Sequence, residues 1–206
     1  INPPTALLML RDFVDLQPGD WVIQNAANSA VGSYLIQLAA MCGLKTINIV
    51  RREAAVEGVK QLGGDVVLVD GDKLAKRVAE ATGGAKIRLG IDAIGGEATD
   101  RLAACLAEAG TLVNYGMMSG ESCRVSAASF VFRDVTLRGF WLAKWFRKAS
   151  PAEQQAVFGE IAQGIIRGKL HARIAAIYPV DQIKQAVAAA AAGERDGKIL
   201  VGPGSK

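Results

Sequence analysis

Two stretches of the chain combine residue types and spacings that could do chemistry. The first is Asn25-Ala-Ala-Asn-Ser-Ala-Val-Gly32, which follows the short apolar run Trp21–Gln24 and leads straight into a helical pattern. Small residues at such a junction let backbone approach a ligand. The free N–H groups and dipole of the helix N-terminus suit a pyrophosphate. The turn departs from G-x-G-x-x-G, because Ala26 or Ala27 and Ser29 stand where glycine is common, while Gly32 is kept. An ordinary helix capped by Asn28 or Ser29 and packed on a strand explains the same residues. The second stretch is Arg51-Arg52, about 20 residues beyond Gly32 at the end of the next apolar run. An Asp or Glu at that spacing would accept hydrogen bonds from a ribose diol, as in NAD sites. Two guanidinium groups suit the 2′-phosphate of NADPH instead, through charge-assisted hydrogen bonds. A solvated helix start is the alternative, and Glu53 beside them would repel a phosphate unless it points away, but the position favours NADPH over NADH.

The elements that must position these residues alternate in period. Trp21–Gln24, Thr46–Val50, Val66–Val69, Ile87–Ile94, Thr111–Tyr115 and Val135–Gly139 read as strands. Ser29–Cys42, Glu53–Leu62, Leu74–Ala81 and Ala98–Ala107 read as helices, with Gly43, Gly63-Gly64 and Gly83-Gly84 as terminators. Short apolar runs alternating with helices of about ten residues predict βαβ units and a parallel sheet. The fold class expected is α/β, a doubly wound parallel sheet of the Rossmann type in three layers, α/β/α. Beyond it, Phe140–Lys148 is amphipathic, Ala152–Arg167 is a helix opened by Pro151, and Arg173–Tyr178 is a strand candidate. An Ala-rich helix over Asp181–Ala192, ending at Gly193, precedes a last strand over Gly197–Val201. No repeat or long linker is visible, so residues 1–206 are expected to form one domain, with 171–206 returning towards a part not present in the chain.

Composition narrows the function classes. The 206 residues are 50% hydrophobic and 6% aromatic with 23 Gly, which excludes disorder, a collagen-like repeat and a disulfide scaffold. Net charge is +4, with no Lys/Arg run longer than two, which weighs against a nucleic-acid partner and suits a small anionic ligand. Three dispersed cysteines (Cys42, Cys105, Cys123) and a single histidine (His171) make no convincing zinc site, so no metal is expected. They point to a reducing, cytoplasmic setting. No uncharged apolar stretch reaches the roughly 18 residues of a membrane span, so no membrane association is expected.

With these residues in place the sequence resembles the medium-chain dehydrogenase/reductase superfamily, most closely its zinc-independent trans-2-enoyl-thioester reductase branch, with quinone oxidoreductases as neighbours. Ile1-Asn-Pro-Pro-Thr-Ala6 is similar to that branch's I-N-P-x-T-A opening helix, and Leu16–Asp20 with Val22–Asn25 to its L-Q-P-G-D-x-V-I-Q-N. Asn28-Ser29 with Val31-Gly32 resembles N-S-G-V-G, with Ala30 for a glycine. Thr46-Ile-Asn48 to Arg51 resembles T-I-N-V-V-R. Tyr115-Gly116 with Met118 resembles Y-G-G-M, with Met117 for a glycine. Leu137-Arg-Gly-Phe-Trp-Leu142 matches without change, and Trp145 recurs three residues on.

The resemblance implies a set of NADPH contacts. Asn2 would reach the cofactor from the opening helix, and Asn28, Ser29, Ala30 and Val31 would form the pyrophosphate turn. Arg51 and Arg52 would hold the 2′-phosphate, although Glu53 stands where a third Arg is common. Tyr115, Gly116, Met117 and Met118 would lie beside the ribose and nicotinamide. Phe140, Trp141 and Leu142 would border the nicotinamide and acyl pocket, and Lys198 would approach from the C-terminal segment. Plainer roles are open for several: core packing for Tyr115, Phe140 and Trp141, helix capping for Asn2, and a solvated charge for Lys198. The implied reaction is hydride transfer from NADPH to the β-carbon of a 2-enoyl thioester. In the resembling branch the catalytic acid is a Tyr of a separate N-terminal domain. Tyr34, Tyr115 and Tyr178 do not match it, so no catalytic residue is assigned and the chain by itself is expected to be nearly inactive. A quinone as substrate and a non-catalytic nucleotide-binding domain are the alternatives. A methyltransferase fits less well, since it needs an acidic residue where Arg51 stands. A homodimer paired through an edge near Thr111–Tyr115 and Val135–Gly139 is also implied.

Overall fold

The structure, a computed structural model, describes residues 1–192 and 197–203. The chain divides into two compact units, Ile1–Leu170 and His171–Lys206.

The first unit is built on six parallel strands: β1 (Trp21–Gln24), β2 (Lys45–Val50), β3 (Val66–Val69), β4 (Ile87–Asp92), β5 (Thr111–Asn114) and β6 (Thr136–Gly139). Their order across the sheet is β3-β2-β1-β4-β5-β6. Sequence order reverses between β1 and β4, which opens a crevice at the C-terminal ends of those two strands. The register runs Ile23↔Ile47, Ile23↔Gly90 and Val113↔Arg138.

Both faces of the sheet are buried, as parallel sheets require. Val22, Leu89, Ile91 and Val113 face one layer, formed by α1 (Asn2–Arg11), α2 (Ala30–Met41), α7 (Leu142–Lys148) and α8 (Pro151–Ile166). Ile23, Ile47, Ile49 and Leu112 face the other, against α4 (Leu74–Thr82) and α5 (Gly96–Cys105). A smaller cluster joins Ile36 of α2 to Val50 and to Val59 of α3 (Val56–Gln61). The result is the three-layer doubly wound arrangement expected.

Local chemistry sets the helix ends. Gly43, just after α2, is left-handed at φ 69° and ends that helix at close range to Pro18. Ser150 and Glu153 form a reciprocal capping box on α8, with Pro151 in its first turn. Arg101 of α5 reaches Asp70, just past β3, with two hydrogen bonds of 2.8 and 2.5 Å.

Several elements differ from the sequence expectation. Glu53–Leu62 is a 3-10 turn, Glu53–Ala55, followed by the six-residue α3, because Gly58 and the adjacent Gly63-Gly64 leave little room for a longer helix. The helix α6 (Ala127–Arg133) was not anticipated; its short sequence carries no clear period, and Arg133 secures it by donating to Ala103 O, Ala104 O and Leu106 O.

In the second unit β7 (Ile174–Pro179) and β8 (Lys198–Gly202) pair in parallel. A 3-10 turn, Val180–Gln182, and α9 (Ile183–Ala191) lie between them, the crossover a parallel pair needs. The helix end expected at Gly193 lies outside the described residues.

Burial has a chemical consequence at Cys105 of α5, whose thiol donates to Arg101 O at 3.2 Å. Burial pushes this thiol up from its ordinary 9.0 to about 12, against the opposing charge of Arg133. The folded state therefore favours the neutral thiol. That contribution to stability is complete below pH 9 and is lost as pH rises through about 12. Native Cys105 is expected to resist iodoacetamide at pH 8 and to react once the chain is unfolded. Mass spectrometry of the alkylated peptides checks this, and equal labelling in both states would overturn it.

Candidate functional site

The turn between β1 and α2 is shaped by contacts that glycine and alanine permit. Ala26 adopts φ 47°, a left-handed conformation usually left to glycine. The Ser29 N–H donates to Ala26 O at 2.8 Å. Ser29 then caps α2, its Oγ accepting from the Gly32 N–H at 3.1 Å. A Cβ at Gly32 would stand 2.6 Å from Ala27 O and 2.8 Å from Ala26 O. The first turn of α2 can lie this close to the strand because position 32 has no side chain. First-turn N–H groups have no acceptor within their own helix. At Ala30 and Val31 these point to a ready anion site, which the helix dipole reinforces.

Arg51 and Arg52 follow β2, the strand paired alongside β1, and both side chains are exposed. The spacing seen in the sequence thus becomes proximity to the α2 N-terminus. Glu53 is also exposed.

The loop after β5 approaches the same edge. Tyr115 is half-buried; burial raises its phenol above the ordinary value, opposed by a hydrogen bond with Ser29, while the Asp92 charge adds to the rise. Gly116 is held where a Cβ would lie 2.8 Å from Ala93 O, and the Met118 N–H donates to that same oxygen at 3.1 Å. The side chains of Met117 and Met118 are 65% and 70% exposed. Asn28 to Val31, Arg51-Arg52 and Tyr115 to Met118 therefore gather at the C-terminal edge of neighbouring strands.

The remaining expected residues fall out differently. The Phe140 N–H donates to Asn114 O at 2.8 Å, and its ring packs edge-on to Phe13. Trp141 is exposed, with the Arg147 guanidinium 4.9 Å over its ring. Leu142 is buried among the core residues of the first layer, so packing explains it. Asn2 is the first residue of α1 and half-buried. Lys198 begins β8 of the second unit, its N–H donating to Arg173 O.

A group that the sequence reading passed over lies beneath this edge. Asp92, the last residue of β4, is fully buried and accepts from Asn25 Nδ2 (2.6 Å), the N–H groups of Ile94 (2.9 Å) and Gly95 (3.2 Å), Thr99 Oγ1 (2.6 Å) and Asn114 Nδ2 (2.9 Å). Asn25 Oδ1 in turn accepts from the Ala93 N–H at 2.8 Å. Gln24 donates to Gly32 O and to Asn48 Oδ1. A signal was present: three strands whose last residues are otherwise buried and mostly apolar end in Gln24, Asp92 and Asn114. Among the described residues no buried side-chain N or O atom lacks a partner. Among those residues, too, no three His, Cys, Asp or Glu side chains converge as metal ligands, so they do not fit a zinc ion.

A doubly wound sheet with a tight small-residue turn at its switch point defines a Rossmann-type α/β domain. Residues 30–158 match the family described as zinc-binding dehydrogenase, and the chain belongs to that family, within the medium-chain dehydrogenase/reductase superfamily. It is 43% identical over 169 residues to a mitochondrial enoyl-[acyl-carrier-protein] reductase of Dictyostelium discoideum, covering 78% of this chain and 47% of that protein. Among solved structures, a putative NADPH:quinone reductase from Bacillus thuringiensis superposes with TM-score 0.87 at 27% identity, over 97% of this chain and 61% of that one. The Etr1p complex with NADP and crotonyl-CoA gives TM-score 0.85 at 26% identity, over 98% and 59%. The chain spans about half the length of the curated relatives it matches. Those relatives are mitochondrial by name, whereas the sequence suggested the cytoplasm. Among the described residues no helix is long and apolar enough to cross a membrane.

Proposed function

We propose that this chain is the NADPH-binding part of a zinc-independent reductase acting on the C=C bond of 2-enoyl thioesters. The observation that carries the reading is the closeness of the α2 N-terminus to its strand at Gly32, with Arg51-Arg52 on the adjoining strand end. This cradle fits a dinucleotide: a Cβ at position 32 would occupy space the turn itself fills. In it the α2 N-terminus, with Asn28 to Val31, holds the pyrophosphate, Arg51 and Arg52 hold the 2′-phosphate, and the Tyr115–Met118 loop borders the ribose and nicotinamide. Asn2, Phe140 and Trp141 are further proposed contacts; Leu142 supports from the core. When bound, the cofactor supplies a hydride for the β-carbon of the enoyl thioester. The catalytic acid is not among the residues assigned here.

Thermal unfolding tests the reading. NADPH at about 100 times its Kd stabilises the fold by about 2.7 kcal/mol, which raises the Tm by roughly 5–10 °C for a chain of this size. An unchanged Tm would favour a non-catalytic domain. The likeness to a putative NADPH:quinone reductase supports a second substrate class. A panel of 2-enoyl thioesters and quinones, followed by loss of NADPH absorbance, separates the two. Crotonyl thioester turnover by this chain is expected to be weak, and robust turnover would refute the assignment of the acid elsewhere.

A homodimer belongs to the same proposal. β6 is an edge strand with Thr136, Arg138 and Gly139 exposed, and the preceding α6 exposes Phe130, Val131 and Phe132, the last at 79%. An open edge beside an apolar patch of this kind suits pairing with a second copy. Phe132→Asp is expected to shift the species seen by light scattering to monomer; a monomeric native chain would contradict the proposal. The free thiols of Cys42, Cys105 and Cys123 support a reducing compartment, the cytoplasm.

A further inference from the structure

The buried carboxylate of Asp92 joins three turns that all border the crevice. Through Asn25 it holds the start of the turn into α2, and its own Oδ1 accepts from the N–H groups of the turn after β4. Through Asn114 it holds the loop after β5, because Asn114 Nδ2 donates both to Asp92 Oδ2 and to Gly116 O at 2.9 Å. Each partner is a donor, and the site offers that carboxylate nothing to donate to. An amide in its place would turn an NH2 towards at least one of these donors. The crevice is thereby set from below: the spacing between the α2 N-terminus and the Tyr115–Met118 loop depends on two amides that share one acceptor.

We infer that Asp92, acting through Asn25 and Asn114, is a positioning residue that fixes the width of the cofactor crevice. This rests on the NADPH reading above. Asp92 is fully buried, so its effect should appear in how well the two walls are pre-arranged. Thr99 provides the contrast, since it also donates to Asp92 but belongs to α5, which forms neither wall.

The test compares the native chain with Asn114→Ala, Thr99→Val and Asp92→Asn, using NADPH fluorescence titration, thermal unfolding and hydrogen exchange at the Met118 N–H. Asn114→Ala is expected to raise the NADPH Kd about tenfold and speed exchange at Met118, while Thr99→Val lowers the Tm yet leaves the Kd within about twofold. Asp92→Asn, where it folds, should weaken NADPH at least as much as Asn114→Ala; where it does not fold, the other two variants decide. Native-like NADPH affinity in Asn114→Ala, or equal losses in Asn114→Ala and Thr99→Val, would overturn the inference while leaving the cofactor reading intact. Failure of the native chain to bind NADPH would remove both.

Discussion

Replacing Arg51 and Arg52 together by alanine is expected to weaken NADPH binding by about ten- to a hundredfold and to leave NADH within about twofold. The size follows from what the 2′-phosphate would lose. A hydrogen bond to a charged group contributes about 1.5–3 kcal/mol. Both guanidinium groups are exposed, so water and salt reduce the gain towards the lower end. The same exposure makes the NADPH preference of the native chain fall as ionic strength rises. Calorimetric titration of both nucleotides at two salt concentrations measures all of this. An equal loss for NADH and NADPH would show that the pair supports the fold and not the phosphate.

Gly32→Ala is expected to cost more and less selectively. The added methyl would stand 2.6 Å from Ala27 O and 2.8 Å from Ala26 O, and neither is the movable end of a side chain. Relief requires α2 to shift outward, which also strains the Ser29 cap and the Gln24 hydrogen bond to Gly32 O. Overpacking of this kind destabilises by about 1–3 kcal/mol, roughly 2–12 °C in Tm at this chain length. The displaced N–H groups would lower the affinity for both NADH and NADPH by a large and similar factor. Thermal unfolding with and without nucleotide separates the two effects. A variant with native Tm and native affinity would show that the turn has slack the structure does not reveal.

Much of the fold was legible because the signals are local. Val66–Val69 is a continuous aliphatic run and Ile47–Val50 is broken only by Asn48, as befits strands covered on both faces, and the helix α2 is bounded by a capping Ser29 and by Gly43. The close turn at Gly32 and the placement of Arg51 at a strand end were legible for the same reason: both depend on position relative to the nearest strand. Glu53–Leu62 was misjudged because helical period and glycine compete within ten residues, and the structure resolves this into a 3-10 turn and a short helix.

The packing of Leu142 and the distant partners of Asp92 were beyond that kind of reading. Whether Leu142 meets a ligand or the core depends on α8 and the opposite strands, and it packs in the core. Ile94, Gly95 and Thr99 donate to Asp92 from its own segment, but its other donors come from Asn25, 67 positions earlier, and from Asn114, 22 later.

By itself, then, the sequence determined the alternation of strands and helices, the close turn at Gly32 and the cationic end of the second strand, since periodicity, conformational freedom and charge are properties of short segments. The tertiary structure decided the strand order, the sorting of aromatic and aliphatic side chains between core and crevice, and the choice of one carboxylate to bind three turns together. A buried carboxylate must find donors wherever the fold brings them, and those that tie Asp92 to the other two turns, Asn25 and Asn114, lie outside its own segment.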